Sequence, residues 1–142
     1  MNPDALIDLF DTAARAVATA VHAIPAAHRR DRTDRAGQYA LDLVADAAAC
    51  AVLERASVHI VSEESARHDR PGATVTVVVD PVDGSTNCAR GIAYWCTSLC
   101  AIDGDGALAS LVMNHATGDQ VIAVREKGAT RNGVPLQAAT TT

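Results

Sequence analysis

The chain has 142 residues, a length typical of one domain, and a hydrophobic fraction of 49% is ample for a core, so a tail or linker is excluded. A formal charge of -5, with no run of Lys and Arg interleaved with aromatics, leaves no electrostatic footprint for nucleic acid. No apolar stretch approaches the roughly 20 residues that span a bilayer, and the N-terminus carries Asp4, Asp8 and Asp11 where a secretion signal is basic. Cys50, Cys88, Cys96 and Cys100 form neither a Cys-x-x-Cys pair nor zinc-finger spacing. Free, mostly buried thiols in a reducing cytoplasm are expected, with no membrane partner.

From Pro3 to about Ile24, Leu6, Leu9, Phe10, Ala13, Val17, Ala20, Val21 and Ile24 recur at the helical spacing, with Asn2 placed as cap, Pro3 at the first position and Pro25 as terminator. A second helical pattern runs from about Gln38 to Arg55, with Leu41, Val44, Ala45, Ala48, Val52 and Leu53 on one broad face. In it Asp42 and Asp46 stand one above the other.

The period changes at Ser57. A short strand through Val58, Ile60 and Val61 ends in Glu63-Glu64-Ser65, and a polar loop with Pro71-Gly72 leads to the β-branched run Thr74 to Val79. Thr97 to Ile102, Ala107 to Asn114 and Gln120 to Val124, separated by Gly- and Asp-bearing turns, read as antiparallel strands. A last pair flanks Asn132-Gly133. The predicted fold is α+β: two N-terminal helices on a largely antiparallel sheet, in a single domain over 1–142.

The informative segment is Asp80-Pro81-Val82-Asp83-Gly84-Ser85-Thr86-Asn87, at the exit of an apolar strand. Hard divalent ions take oxygen ligands, which Asp80, Asp83 and the Val82 carbonyl supply. Gly84 allows close approach, and if a short helix opens after it, the amides of Gly84, Ser85 and Thr86 face one spot where a phosphate fits. Glu63 and Glu64 lie beside Asp80 if their two strands are neighbours with ends together. Taken singly, an acidic pair at a strand end or an Asp-Gly turn is most often structural; the eight residues together point to metal and phosphate.

This run resembles the Asp-Pro-(Ile/Val)-Asp-Gly-(Thr/Ser)-Thr-Asn signature of the inositol monophosphatase family. Glu63-Glu64-Ser65 resembles its Glu-Glu-Ser element, Asp42 to Asp46 its helical aspartate element, and Gly128 with Asn132-Gly133 and Leu136 its later glycine pattern. The resemblance implies a magnesium-dependent, lithium-sensitive phosphomonoesterase acting on inositol 1-phosphate or a related small phosphorylated polyol or sugar. The implied fold is the N-terminal half of a layered αβαβα sugar-phosphatase. Glu63, Asp80 and the Val82 carbonyl would hold the first Mg2+, and Asp83 the second. Gly84, Ser85 and Thr86 would bind the phosphate, and Asp46, hydrogen-bonded to Ser85, would orient the attacking water. Glu63 would thus serve both metal and catalysis.

Ala45 stands where the family commonly has threonine, and the family continues into a second domain with a Trp-Asp motif that nothing here matches. The expectation is therefore a truncated chain, impaired as a phosphatase, with an uncovered sheet face that favours a homo-oligomer, most simply a dimer. The alternative is a non-catalytic metal- or phosphate-binding module acting through a partner chain. Of the remaining residues, Cys96 and Cys100 are expected as buried neighbours and Trp95 as core, with a lowered thiol pKa the minor reading for Cys88.

Overall fold

The computed structural model describes residues 1–140. Helix α1 spans Pro3–His22, with the Asn2 side chain accepting from the Asp4 amide at 3.0 Å and Pro3 in the first turn. It buries Leu6, Phe10, Ala13, Ala14, Val17 and Val21, the face that its periodicity dictates. Helix α2, Ala40–Leu53, buries Leu41, Asp42, Ala45, Asp46, Ala49, Cys50, Val52 and Leu53. Two expectations fail there: Val44 is exposed and Ala48 half-buried. The helix turns Asp42 and Asp46 to the core instead, where alanines on either side leave room for them.

Eight strands follow: β1 His59–Ser62, β2 Ala66–His68, β3 Thr76–Asp83, β4 Cys96–Asp103, β5 Gly106–Asn114, β6 Gln120–Val124, β7 Gly128–Arg131 and β8 Val134–Pro135. They form one sheet in the order β2-β1-β3-β4-β5-β6-β7-β8, with every pairing antiparallel except β1 with β3. Strand β2 falls in the predicted polar loop; its three residues are charged or small and leave no alternation to read. The short helix α3, Ser85–Arg90, joins β3 to β4.

Helix α1 lies over β4 and β5, and α2 over β1 and β3, so both cover the same sheet face. The core is the seam between them: Val77, Val79, Leu99, Ala101, Leu111 and Met113 from the strands against Phe10, Val17, Leu41 and Leu53 from the helices. Trp95 joins this core as expected, its ring 4.5 Å from His115.

Side chains alternate across a strand, so the opposite face carries Val61, Val78, Asp80, Cys96, Ser98, Cys100, Ile102, Ser110 and Val112. No helix covers it. Cys96 and Cys100 sit there half-exposed and not in the core, because their parity is that of Val78 and Ile102 and not that of Val77 and Leu99. Cys50 and Cys88 are the buried pair, and burial pushes the Cys88 thiol up to about 11, against the lowered pKa considered for it.

Candidate metal and phosphate site

The parallel pairing of β1 with β3 creates the site. Ser62 stands opposite Val79, and the Glu63 amide donates to the Val79 carbonyl at 3.2 Å, so Glu63, just past the end of β1, lies beside Asp80, still within β3. Burial comes first in pushing the Asp80 carboxyl up to about 7, followed by the charge of Glu63 and a hydrogen bond with it, then the charge of Asp83. No cationic side chain figures among these influences.

Between Asp80 and Asp83 the register with β4 slips: Asp80 faces Ser98 and Asp83 faces Cys96, so two residues, Pro81 and Val82, oppose Thr97 alone. Such a bulge breaks the ladder and leaves backbone groups in need of partners. Every one finds a side chain or is absent. Pro81 has no N–H, its carbonyl accepts from Thr97 Oγ1 at 2.7 Å, the Val82 amide donates to Asp80 Oδ1 at 3.1 Å, and the Val82 carbonyl accepts from Ser85 Oγ at 2.9 Å. The bulge re-aims Asp83 while Asp80 keeps its strand orientation.

Gly84 then takes φ 94°, left-handed, and caps α3. A Cβ there would sit 3.1 Å from the Tyr94 carbonyl oxygen and 3.3 Å from Trp95, so both backbone conformation and space demand glycine. The first amides of α3 have no partner within the helix, as at any helix start. A cleft of about 310 Å3 lined by Asp83, Gly84, Asn87, Tyr94, Trp95, Cys96, Val112 and Asn114 opens beside them. A second, of about 290 Å3, is lined by Glu63, Val78, Asp80, Ser98 and Cys100 among others.

Glu63 and Asp80 thus meet where β1 ends against β3, and Val82, Asp83, Gly84, Ser85 and Thr86 follow directly in the chain, but Asp46 is not paired with Ser85 as expected. The Ser85 hydroxyl folds back on Val82, and Asp46 Oδ1 accepts from Ser62 Oγ and, at 3.6 Å, from the Cys50 thiol. Asp46 lies one helical turn too far along α2, under the end of β1. Asp42, one turn earlier on the same helix face, is placed closer to α3. It is 3% exposed; its Oδ2 accepts from the Tyr39 amide at 2.8 Å, while Oδ1 is buried with no partner. It stands near α3: its charge acts on the Cys88 thiol, and the Tyr39 hydroxyl donates to Thr86 Oγ1 at 3.4 Å. Glu64 is tied to Gln38 and, at 3.4 Å, to Arg35, away from Asp80.

Among the described residues, no three Asp, Glu, His or Cys side chains converge at coordination distance. The donor chemistry still fits magnesium, which commonly takes one or two carboxylates and completes its shell with carbonyl, water and phosphate. The crowded, uncompensated Glu63 and Asp80 carboxylates are the kind of pair that a divalent ion relieves.

Comparison with known proteins identifies the family and the fold. The model of the inositol monophosphatase family matches residues 4–142. A fructose-1,6-bisphosphatase/inositol-1-monophosphatase of Archaeoglobus fulgidus is 38% identical over 103 residues, 70% of this chain and 40% of the relative. The chain therefore spans well under two thirds of that protein's length. In fold it is similar to the extragenic suppressor protein suhB from Bartonella henselae, with TM-score 0.83, 19% identity, and 96% of this chain covering 55% of that one. It is also similar to inositol monophosphatase from Anabaena, with TM-score 0.76 and 22% identity over 99% of this chain and 52% of that one.

Proposed function

This chain belongs to the inositol monophosphatase family, and on that premise we propose that it carries the magnesium- and phosphate-binding part of a phosphomonoesterase. The single observation behind this is the convergence of Glu63 and Asp80 beside the Asp83-Gly84-Ser85-Thr86 bend. The substrate class is inositol 1-phosphate or a related small polyol or sugar phosphate, in line with the name of the Archaeoglobus relative. Residues 1–142 act as one domain. Free cysteines suit a cytoplasmic setting, and among the described residues no helix is long and apolar enough to cross a membrane.

In this reading Glu63, Asp80 and the Val82 carbonyl hold one Mg2+, and Asp83 contributes to a second. The Val82 carbonyl keeps a lone pair free beyond the Ser85 bond. When bound, magnesium makes a water more acidic and offsets charge on the leaving oxygen. The amides of Gly84, Ser85 and Thr86 receive the phosphate, with the Thr86 hydroxyl beside it. Asp42, with a buried oxygen still unpartnered, takes the water-orienting role first given to Asp46. Ser85 holds the bend and presents its hydroxyl to the same side.

Asp80→Asn tests the assignment. It should abolish magnesium-dependent phosphate release from inositol 1-phosphate and the calorimetric signal for magnesium binding; an unchanged signal refutes the metal site. One observation favours a second reading: Asp83 is the single carboxylate of the motif left for the second ion. A non-catalytic metal-binding module would bind magnesium yet release no phosphate. The open sheet face, with Val78, Ile102 and Val112 exposed, supports self-association as a dimer, which sedimentation of the chain at high concentration tests.

A further inference from the structure

Thr97 is completely buried on β4, and its hydroxyl has two neighbours at 2.7 Å, the Pro81 carbonyl and His115 Nε2. A hydroxyl has one proton, and a carbonyl can only accept. The Thr97 proton is therefore committed to Pro81, and His115 must donate from Nε2. This fixes the imidazole as the Nε2–H tautomer.

His115 is itself held in place. Its amide donates to the Trp95 carbonyl at 3.2 Å, and its ring lies against the Trp95 indole with centroids 4.5 Å apart. Trp95 in turn lies directly against Gly84, where a Cβ would come within 3.3 Å of it. The Thr97 bond reaches the bulge from beneath and the Trp95 contact reaches the next turn.

We propose that Thr97 and His115 are positioning residues for the bulge: an Nε2–H···Oγ1–H···O=C chain fixes the Pro81 carbonyl and thereby the separation of Asp80 from Asp83. The register shift removes the ladder partner of that carbonyl, and the chain replaces it with a donor whose own orientation is set by a second donor. Without the Thr97 hydroxyl, the Pro81 carbonyl must find water or move, and either change displaces one aspartate relative to the other. The consequence for metal binding rests on the proposed magnesium site; the hydrogen-bond chain does not.

The first measurement is on the unaltered protein: long-range 1H–15N spectra of His115 should show a protonated Nε2 and a bare Nδ1. The opposite tautomer overturns the proposal. Thr97→Val keeps shape and removes the hydroxyl. It should weaken Mn2+ binding, read by electron paramagnetic resonance, roughly tenfold, and speed hydrogen exchange at the Val82 and Asp83 amides while Leu111 stays protected. His115→Leu should act in the same direction. His115→Gln, which keeps an N–H near the Nε2 position, should restore both readouts to within about twofold of the original, on the scale of a single retained hydrogen bond. Unchanged exchange at Val82 and Asp83 in Thr97→Val overturns the positioning role. If the unaltered chain binds no Mn2+, the metal reading fails, and the tautomer and exchange data still decide this one.

Discussion

The two faces of the sheet come from alternate residues of the same strands, yet they are built for different ends. Val77, Val79, Leu99 and Leu111 are at most 1% exposed against α1 and α2, whereas Val78, Ile102 and Val112, one step along, are 37–39% exposed. The covered face gains its stability from apolar area removed from water. The open face gathers Asp80, Ser98 and two cysteines beside Glu63, and there like charges crowd without compensation. Along the strands, apolar stability and exposed carboxylate chemistry are thus divided by parity, with buried Thr97 and Asp42 as the polar exceptions on the covered side.

Leu111→Ala gives the strongest stability test of that division. It empties a fully buried site and should cost about 2–5 kcal/mol in urea unfolding; a loss below about 1 kcal/mol would mean the core is not where the two layers meet. Gly84→Ala comes next, combining a left-handed φ with a 3.1 Å approach to the Tyr94 oxygen. A cost of about 1–3 kcal/mol is expected, together with loss of phosphate protection in thermal melts. At the low end, Val112→Thr on the open face should shift stability by no more than about 0.5 kcal/mol.

Between these lies a pH test that sets the faces against each other. Asp80 titrates at about 7 in the fold against an ordinary 3.8, so the folded, metal-free protein binds the extra proton. Its contribution is full below about pH 4 and is lost as pH rises through 7. His115 does the reverse. Burial, with the charge of His22, lowers it from 6.5 to about 4, so its contribution is present above 6.5 and lost as pH falls to 4. The two slopes oppose each other across the same window. Asp80→Asn should leave melting temperatures that rise from pH 4.5 to 6.5, and His115→Gln should leave them falling. Identical slopes in both variants would show that neither group controls the trend.

Much of this was legible in the chain. Helix α1 announces itself through its apolar period and its Asn-Pro start, and Asp80 through Asn87 is readable because a strand exit, two carboxylates, a glycine and hydroxyls coincide. The placement of Glu63 beside Asp80 followed once two neighbouring strands were assumed. What escaped depends on partners distant in sequence. Asp42 and Asp46 share a face of α2, so which of them serves the site is decided by one turn of rise along the helix, about 6 Å, relative to α3, and periodicity does not resolve it. Ser85 chose the nearer Val82 carbonyl. Thr97 looked like any strand threonine until the bulge put a lone carbonyl opposite it, and β2 was too short and too charged to show a period.

The lone parallel pairing in the sheet also governs how the molecule opens. Within the sheet, among the described residues, the outer pair β2-β1 is hydrogen-bonded to the other strands through β3 alone, and Glu63 and Asp80 sit at the far end of that seam. Any cation shared by the two carboxylates would fasten the peripheral hairpin to the middle of the sheet. Binding to the closed form alone raises the free energy of fraying by RT ln(1 + [L]/Kd), about 2.7 kcal/mol at a hundredfold excess over Kd. The seam would then breathe more slowly as magnesium rises, and the slowing would stop abruptly at β3.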